Sequence, residues 1–118
     1  MSDSEGALEH EVIRFVEDHV GSLLAWDIIV FFHRHPDEAF DPEVLASQLG
    51  RGPAELIREV EALSAEGILQ TAGGLVRFSS DSALAPMVTA FVEACRNRTH
   101  RLSLIARVLQ RIGASSEE

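Results

Sequence analysis

Two histidines and two acidic residues near the end of an apolar segment have the side chains of a transition-metal site. His33, His35, Asp37 and Glu38 supply imidazole nitrogens and carboxylate oxygens, which are ligand types that Zn²⁺ accepts. Positive charge is also favoured at the C-terminal end of a helix, where the backbone carries partial negative charge. The second explanation requires no ion, and we therefore expect neither a metal nor another cofactor.

The sequence lacks the short motifs that commonly mark catalytic sites. It has no nucleophile elbow, no phosphate-binding loop and no metalloprotease helix motif, and Gly-Arg-Gly at residues 50–52 is interpreted as a turn. The single cysteine, Cys95, cannot form an internal disulfide and is interpreted as a small, buried apolar residue in a helix. We expect that the protein is not an enzyme.

Arginine supplies every formal positive side-chain charge. The chain has ten arginines and no lysine, so each cationic contact can be bidentate to phosphate or carboxylate. Residues 1–66 contain 15 acidic residues and 4 arginines (−11), whereas residues 67–118 contain 4 acidic residues and 6 arginines (+2). The net charge of −9 weakens attraction to DNA, although only the surface that contacts DNA has to be positive.

The length and hydropathy of the chain predict one globular domain in the cytoplasm. A chain of 118 residues can bury a single core, and 46% of its residues are apolar. No apolar run approaches the roughly 20 residues that a membrane span requires, and the N-terminus does not resemble a signal peptide. Residues 1–7 are polar or small, and we expect them to be a disordered tail.

Apolar residues at helical spacing predict two helices within residues 8–35. The first helix is amphipathic and ends at Gly21, and the second is apolar on nearly all sides and ends before Pro36. Trp26 and its apolar neighbours are interpreted as packing residues of the core. Residues 36–40 are expected to form a short acidic loop.

Two shorter helices follow, and both have recognisable start signals. Asp41-Pro42 combines a capping side chain with proline in the first turn, Gly50 can end this helix, and Gly52-Pro53 starts the next one. The spacing predicts buried stripes at Val44, Leu45 and Leu49 in the first helix and at Leu56, Ile57, Val60 and Leu63 in the second.

A hairpin is predicted directly after the second of these helices. Gly67 ends the helix, and Ile68–Thr71 is expected to pair with Leu75–Phe78 across the turn Ala72-Gly73-Gly74. The order is therefore helix, glycine-rich turn, helix and hairpin.

This order resembles the winged helix-turn-helix of bacterial transcriptional regulators of the MarR or ArsR kind. The resemblance covers about a third of the chain, with residues 41–66 as the helix-turn-helix and residues 68–78 as the wing. The matching positions are Leu45-Ala46, Gly50, Val60, Leu63 and Glu66-Gly67-Ile68-Leu69. It implies a mainly α fold with a small β-hairpin and with extra N- and C-terminal helices.

The resemblance implies that the second helix of the motif enters the major groove of DNA. Arginine can recognise guanine bidentately, and glutamate can accept a hydrogen bond from cytosine. The candidate DNA-binding residues are Ser47, Gln48, Arg51, Ala54, Glu55, Arg58, Glu59 and Arg77.

The acidic residues of the same helix favour a second interpretation, in which the winged helix does not bind DNA. Exposed glutamates repel phosphate, and they would instead attract a basic protein partner. This acidic surface would be formed by Glu55, Glu59, Glu61 and Glu66. We therefore expect either a DNA-binding regulator or an acidic protein-interaction module.

Two apolar stripes in residues 82–112 predict a C-terminal helical segment. Residues 96–99 favour caps without requiring a break, and we expect a bent or continuous helix. Together with the first helix, these stripes predict a homodimer that would bind two half-sites about one helical turn apart. The candidate interface residues are Leu8, Val12, Val16, Phe91, Leu102, Ile105, Leu109 and Ile112. Alternatively, these helices pack back onto their own chain.

The C-terminal segment also contains the one basic cluster in the sequence. Its members are Arg96, Arg98, Arg101, Arg107 and Arg111. We expect their role to be structural. Arg107 and Arg111 share a helix face and are suited to pair with acidic residues of the first helix, in the same or the partner subunit, namely Glu9, Glu11, Glu17 or Asp18. Binding of phosphate, of an acidic partner or of an anionic ligand is the alternative.

Overall fold

The computed structural model describes residues 10–116, with side chains described as far as Gln110. This part of the chain is mainly α-helical, with six helices and a three-stranded antiparallel sheet. In chain order the elements are α1 (His10–His19), α2 (Leu23–Arg34), β1 (Ala39–Phe40), α3 (Pro42–Leu49), α4 (Pro53–Ala65), β2 (Leu69–Ala72), β3 (Leu75–Phe78), α5 (Ala85–Ala94) and α6 (Arg98–Ser116).

The described residues fall into two compact units. Leu24–Ala85, here called the central unit, contains nearly all of α2, then β1, α3, α4, β2 and β3. The described residues before Leu24 and from Pro86 onwards form the terminal unit, which contains α1, nearly all of α5, and α6. None of the helices in the described residues has the length and apolarity that crossing a bilayer requires.

The helix α2 provides much of the core of the central unit. Half of its 12 residues are buried, including Trp26, Ile29 and Phe32, which confirms the prediction that its apolar residues pack inward. The helix ends two residues before Pro36, because proline disfavours helical geometry in the residue that precedes it.

The strand β1 lies in a segment that was predicted to be a loop. Ala39 pairs with Arg77 and Phe40 with Val76, so β1 extends the sheet on the free side of β3. The Phe40 ring contacts the rings of Phe31 and Phe32, with centroids 4.9 and 5.7 Å apart. The prediction of a loop over residues 36–40 was therefore wrong at its end, because two residues are too few to show a strand periodicity.

The caps of α3 match the prediction. The Asp41 carboxylate accepts a hydrogen bond from the Glu43 backbone N–H at 2.8 Å, and Pro42 occupies the first turn. Gly50 ends the helix in the left-handed conformation, with φ of 68°, which favours glycine. Val44 was wrongly predicted to be buried, since it is 51% exposed while Leu45 and Ala46 face the core.

The helix α4 begins after a short turn and is anchored along one side. Leu56, Val60 and Leu63 are buried and recur at positions i, i+4 and i+7, which form a narrow stripe. Ile57 was wrongly predicted to belong to this stripe and is 39% exposed, because it lies about 100° around the helix from Leu56. The helix α4 packs against both α3 and β2.

In the hairpin, β2 begins and ends one residue later than predicted, whereas β3 has the predicted bounds. Ala72 pairs with Leu75 and belongs to β2, which leaves a two-residue turn. Gly73 and Gly74 have positive φ angles of 61° and 80°. A two-residue turn requires positive φ angles when its twist matches that of the two strands it joins. In the sheet, β3 is central and β1 and β2 lie at the edges.

The C-terminal segment forms two helices, which corrects the expectation of one bent or continuous helix. The helix α5 ends at Ala94, and α6 starts at Arg98. The Asn97 side chain accepts a hydrogen bond from the His100 backbone N–H at 3.0 Å and caps α6. In the terminal unit α1 packs against α6, and the rings of Phe15 and Phe91 lie 5.6 Å apart.

Replacing Asp41 with alanine should lower the free energy of unfolding by about 1 kcal/mol, because the cap bond to Glu43 is lost. The matched control is Asp41→Asn, which keeps a capping oxygen and should stay close to the native stability. Urea denaturation followed by circular dichroism measures both variants. Equal stability of Asp41→Ala and the native protein would show that this cap contributes nothing to folding.

Candidate nucleic-acid interface

The outward side of α4 carries four of the candidate DNA-binding residues. Ala54, Glu55 and Arg58 are exposed, and Glu59 is half-buried. Their orientation follows from the buried stripe of α4, since residues between the stripe positions have to point away from the core. The structure therefore brings these four side chains together on the first two turns of one helix.

The charge on this side of α4 is negative. Arg58 is the one arginine of the helix and lies three residues from both Glu55 and Glu61, which makes them neighbours on the helix surface. Within the described residues, Arg58 forms no salt bridge. Its guanidinium is therefore available to a ligand, although the adjacent carboxylates reduce its attraction for phosphate.

Arg51 has a partner that the sequence did not reveal. Its Nη2 donates a hydrogen bond to Asp27 Oδ2 at 3.3 Å, which connects the turn after α3 to α2. Asp27 is the one acidic residue of α2 and lies in its apolar stretch, and that isolation was the available sign of a specific partner. A partly exposed ion pair of this kind contributes at most about 1 kcal/mol, so a competing phosphate could displace it.

Arg77 lies on the central strand of the sheet. It pairs with Ala39 on one side and Gln70 on the other, and its side chain is exposed. The neighbouring residues Val76 and Phe78 are buried, as the alternation along a strand requires. Arg77 therefore projects from the outer face of the sheet and has no salt bridge within the described residues.

The remaining two candidates lie on α3. Ser47 and Gln48 are exposed, and they share a helix face with Val44, which lies three and four residues before them. Both side chains can donate hydrogen bonds to phosphate oxygens. The exposed side chain of Val44 adds apolar surface to this otherwise polar face.

The proposed dimer residues divide into two groups. Val12, Val16 and Phe91 are at most 2% exposed within one chain, so a surface of the folded chain cannot include them. Leu102 and Leu109 are 53% and 49% exposed, and Ile105 is half-buried. Leu8 and Glu9 lie outside the described residues, as do the side chains of Arg111 and Ile112.

Part of the arginine cluster is paired within its own chain. Arg107 Nη1 lies 3.2 Å from Glu17 Oε2, which confirms pairing between α6 and the acidic side of α1. Arg96 contacts Glu93 at 3.4 Å, and the Arg101 guanidinium donates to the Cys95 carbonyl at 3.2 Å. These contacts are structural, as predicted.

Cys95 is half-buried where α5 ends. Burial raises the pKa of its thiol from 9.0 to about 11, and the nearby Arg101 guanidinium opposes part of this rise. Since the thiolate is the reactive form, the thiol is inert at neutral pH. Cys95 was predicted to be buried, and the structure confirms this only in part, because the side chain is half-buried.

One of the two histidines that suggested a metal site, His35, has other contacts. His35 Nδ1 lies 3.4 Å from Glu38 Oε2, and the His35 ring packs on Phe31 with centroids 4.6 Å apart. Within residues 10–116, no group of three or more histidine, cysteine, aspartate and glutamate side chains is arranged to hold a metal ion.

The chain matches no protein-family model, no curated protein and no solved structure. The resemblance carried by residues 41–78 therefore remains a prediction.

The raised pKa of Cys95 predicts slow alkylation of the folded protein. Near pH 8, a thiol with a pKa of about 11 forms roughly a hundredfold less thiolate than one with a pKa of 9.0. The iodoacetamide reaction should therefore be much slower than in urea, by up to about that factor, and its rate should rise steeply towards pH 11. Equal rates in buffer and urea at pH 8 would contradict the burial of this thiol.

Proposed function

We propose that residues 39–78 form a winged helix that binds DNA, and that the protein regulates transcription. The observation that carries this proposal is the combination of α3, a tight turn, α4 and a glycine-tipped hairpin, with α4 buried along one narrow stripe and exposed elsewhere. The antiparallel pairing of β1 with β3 also supports the proposal, because it joins the hairpin to the segment that precedes α3. The helix α4 is then the recognition helix and β2–β3 the wing.

The exposed residues supply a small set of DNA contacts. The first two turns of α4 would lie in the major groove, where Arg58 can donate to guanine and Glu55 can accept from cytosine. Ser47 and Gln48 would contact phosphates from α3, and Arg77 would contact a phosphate from the sheet. Arg51 would contact DNA only when its ion pair with Asp27 breaks, so Arg58 and Arg77 are the main cationic contacts.

Charge limits how strongly this surface can bind. With Arg58 bound to a base and Arg77 bound to one phosphate, log affinity should fall with log salt concentration with a slope of only about 1 per chain. The exposed glutamates of α4 reduce the affinity further, and they restrict binding to sequences in which their acceptor oxygens find a donor base. The proposed regulator is therefore a weak binder of bulk DNA that depends on base contacts.

We also propose a homodimer, with an interface on α6. Leu102, Ile105 and Leu109 recur at positions i, i+3 and i+7, and two of them are about half exposed. Such a stripe lies on one side of a helix and is suited to pairing with its own copy about a twofold axis. This interface omits Val12, Val16 and Phe91, which are already buried in one chain.

A second candidate function is favoured by the composition of the exposed surface of α3 and α4. Val44 and Ile57 are 51% and 39% exposed, and the acidic residues Glu43, Glu55 and Glu61 share these helices. Apolar side chains among carboxylates suit a basic protein partner better than they suit phosphate. In this alternative the winged helix is a protein-interaction module.

The DNA proposal is tested by selecting genomic DNA fragments and measuring affinity across a salt series. Arg58→Ala should weaken binding to a selected fragment by about 1 to 3 kcal/mol, because a base contact is lost. Arg77→Ala should weaken binding to all sequences and lower the salt slope by about 1. Arg14→Ala is the control, since Arg14 is an exposed arginine on α1 and its loss changes net charge equally.

Absence of fragment enrichment at low salt would reject DNA binding. Equal weakening by all three arginine variants would reject the specific assignment to Arg58 and Arg77. The protein-interaction alternative predicts instead that a basic partner is bound, and that Glu55→Gln combined with Glu61→Gln abolishes this binding without affecting the fold.

The dimer proposal predicts sedimentation as a dimer at micromolar concentration. Leu102→Glu combined with Leu109→Glu should yield a folded monomer, because charge is placed in the proposed apolar interface. Leu75→Glu is the matched control, since Leu75 is 43% exposed on β3 and lies outside α6. A native protein that sediments as a monomer would overturn the dimer.

A further inference from the structure

One candidate DNA-binding residue, Arg51, is bound to a carboxylate of its own chain. Arg51 Nη2 lies 3.3 Å from Asp27 Oδ2, although the two residues are 24 positions apart in the sequence. Asp27 lies on α2, and Arg51 lies in the turn between α3 and α4. The side chains of Arg51 and Asp27 are 33% and 47% exposed, so an anion in the solvent can reach the guanidinium and compete with the carboxylate.

The backbone of this turn is held by hydrogen bonds that do not involve the Arg51 side chain. The Arg51 N–H donates to the Ala46 carbonyl at 2.9 Å, and the Gly52 carbonyl accepts from the Leu56 N–H at 3.0 Å. Within the described residues, Asp27 supplies the one salt bridge that the guanidinium forms. Arg51 can therefore leave Asp27 by rotation about its side-chain bonds alone, and the backbone of α3 and α4 does not have to change.

Separation of the ion pair costs little free energy. A partly exposed ion pair changes an equilibrium by at most about fivefold, because water already solvates both charges. The Asp27 carboxylate is about half exposed and stays hydrated when Arg51 leaves, so no buried charge is left behind. A DNA phosphate accepts hydrogen bonds from the same guanidinium fork. The carboxylate and a phosphate are therefore close competitors for Arg51.

We propose that Asp27 is a positioning residue that withholds Arg51 from the DNA backbone and thereby limits the affinity of the protein for DNA. This role rests on the proposed DNA binding by α4, and it adds a residue that does not itself contact DNA. Phosphate contacts carry no sequence information, so the affinity that Asp27 withholds is the same for every sequence. Asp27 therefore weakens binding to all DNA without changing which sequence α4 prefers.

A double-mutant cycle tests this role. Asp27→Ala is made in the native protein and in Arg51→Ala, and each protein is titrated with an enriched genomic fragment and with a scrambled fragment of equal length across a salt series. In the native background, Asp27→Ala should raise the affinity for both fragments by about fivefold. The salt slope should rise from about 1 to about 2 per chain, because Arg51 gains a phosphate. The preference for the enriched fragment should stay the same.

The gain from Asp27→Ala should require Arg51. In the Arg51→Ala background, Asp27→Ala should change neither the affinity nor the salt slope, a non-additive result that a change of net charge alone does not produce. Asp18→Ala is the charge control, since Asp18 is an exposed acidic residue on α1 and its loss changes the net charge equally. This control should leave the salt slope at its native value.

The outcomes distinguish this role from DNA binding itself. If Asp27→Ala binds the enriched fragment with native affinity and native salt slope, the role of Asp27 is wrong and DNA binding stands. A gain that persists in the Arg51→Ala background would also overturn the role, because the gain would not pass through Arg51. If no fragment is enriched at low salt, DNA binding is wrong and the role of Asp27 falls with it. Urea transitions check folding, and Asp27→Ala should stay folded, because alanine favours a helix and the lost ion pair is weak.

Discussion

The burial of one narrow stripe of α4 is the constraint on which the rest of the central unit depends. Leu56, Val60 and Leu63 are at most 4% exposed, and together they fix the rotation of the helix about its own axis. That rotation determines that Glu55 and Arg58 point outward. Replacing Leu56 with alanine would cost several kcal/mol through the core cavity that it leaves and would also loosen the orientation of the candidate contact residues on α4.

Some arginines of this protein are held in ion pairs and others are not. Arg107 is committed to Glu17 and Arg51 to Asp27, each by a partly exposed ion pair that contributes little to stability. These pairs nonetheless occupy donors that would otherwise bind phosphate. In the central unit, Arg34, Arg58 and Arg77 form no salt bridge within the described residues. The acidic neighbours of Arg58 would favour sequence-dependent contacts over general attraction to DNA.

Features that depend on neighbouring residues were predictable from the sequence. The cap at Asp41, the left-handed Gly50 and the glycine turn of the hairpin each follow from local backbone chemistry, and the structure confirms them. Features that depend on distant residues were not predictable in the same way. The strand β1 exists because β3 offers it an edge, and Arg51 turns inward because Asp27 lies opposite it. Whether Val44 and Ile57 are exposed likewise depends on which side of α3 and of α4 is covered by other elements of the fold.

The proposed regulator depends on contact of α4 and the β2–β3 hairpin with DNA. The most direct measurement is a map of backbone amide NMR shifts when an enriched DNA fragment is added to the protein. We expect the largest shifts around Arg58 on α4 and around the Gly73-Gly74 turn. Shifts confined to α6, or no shifts at a saturating concentration of the fragment, would contradict the proposal.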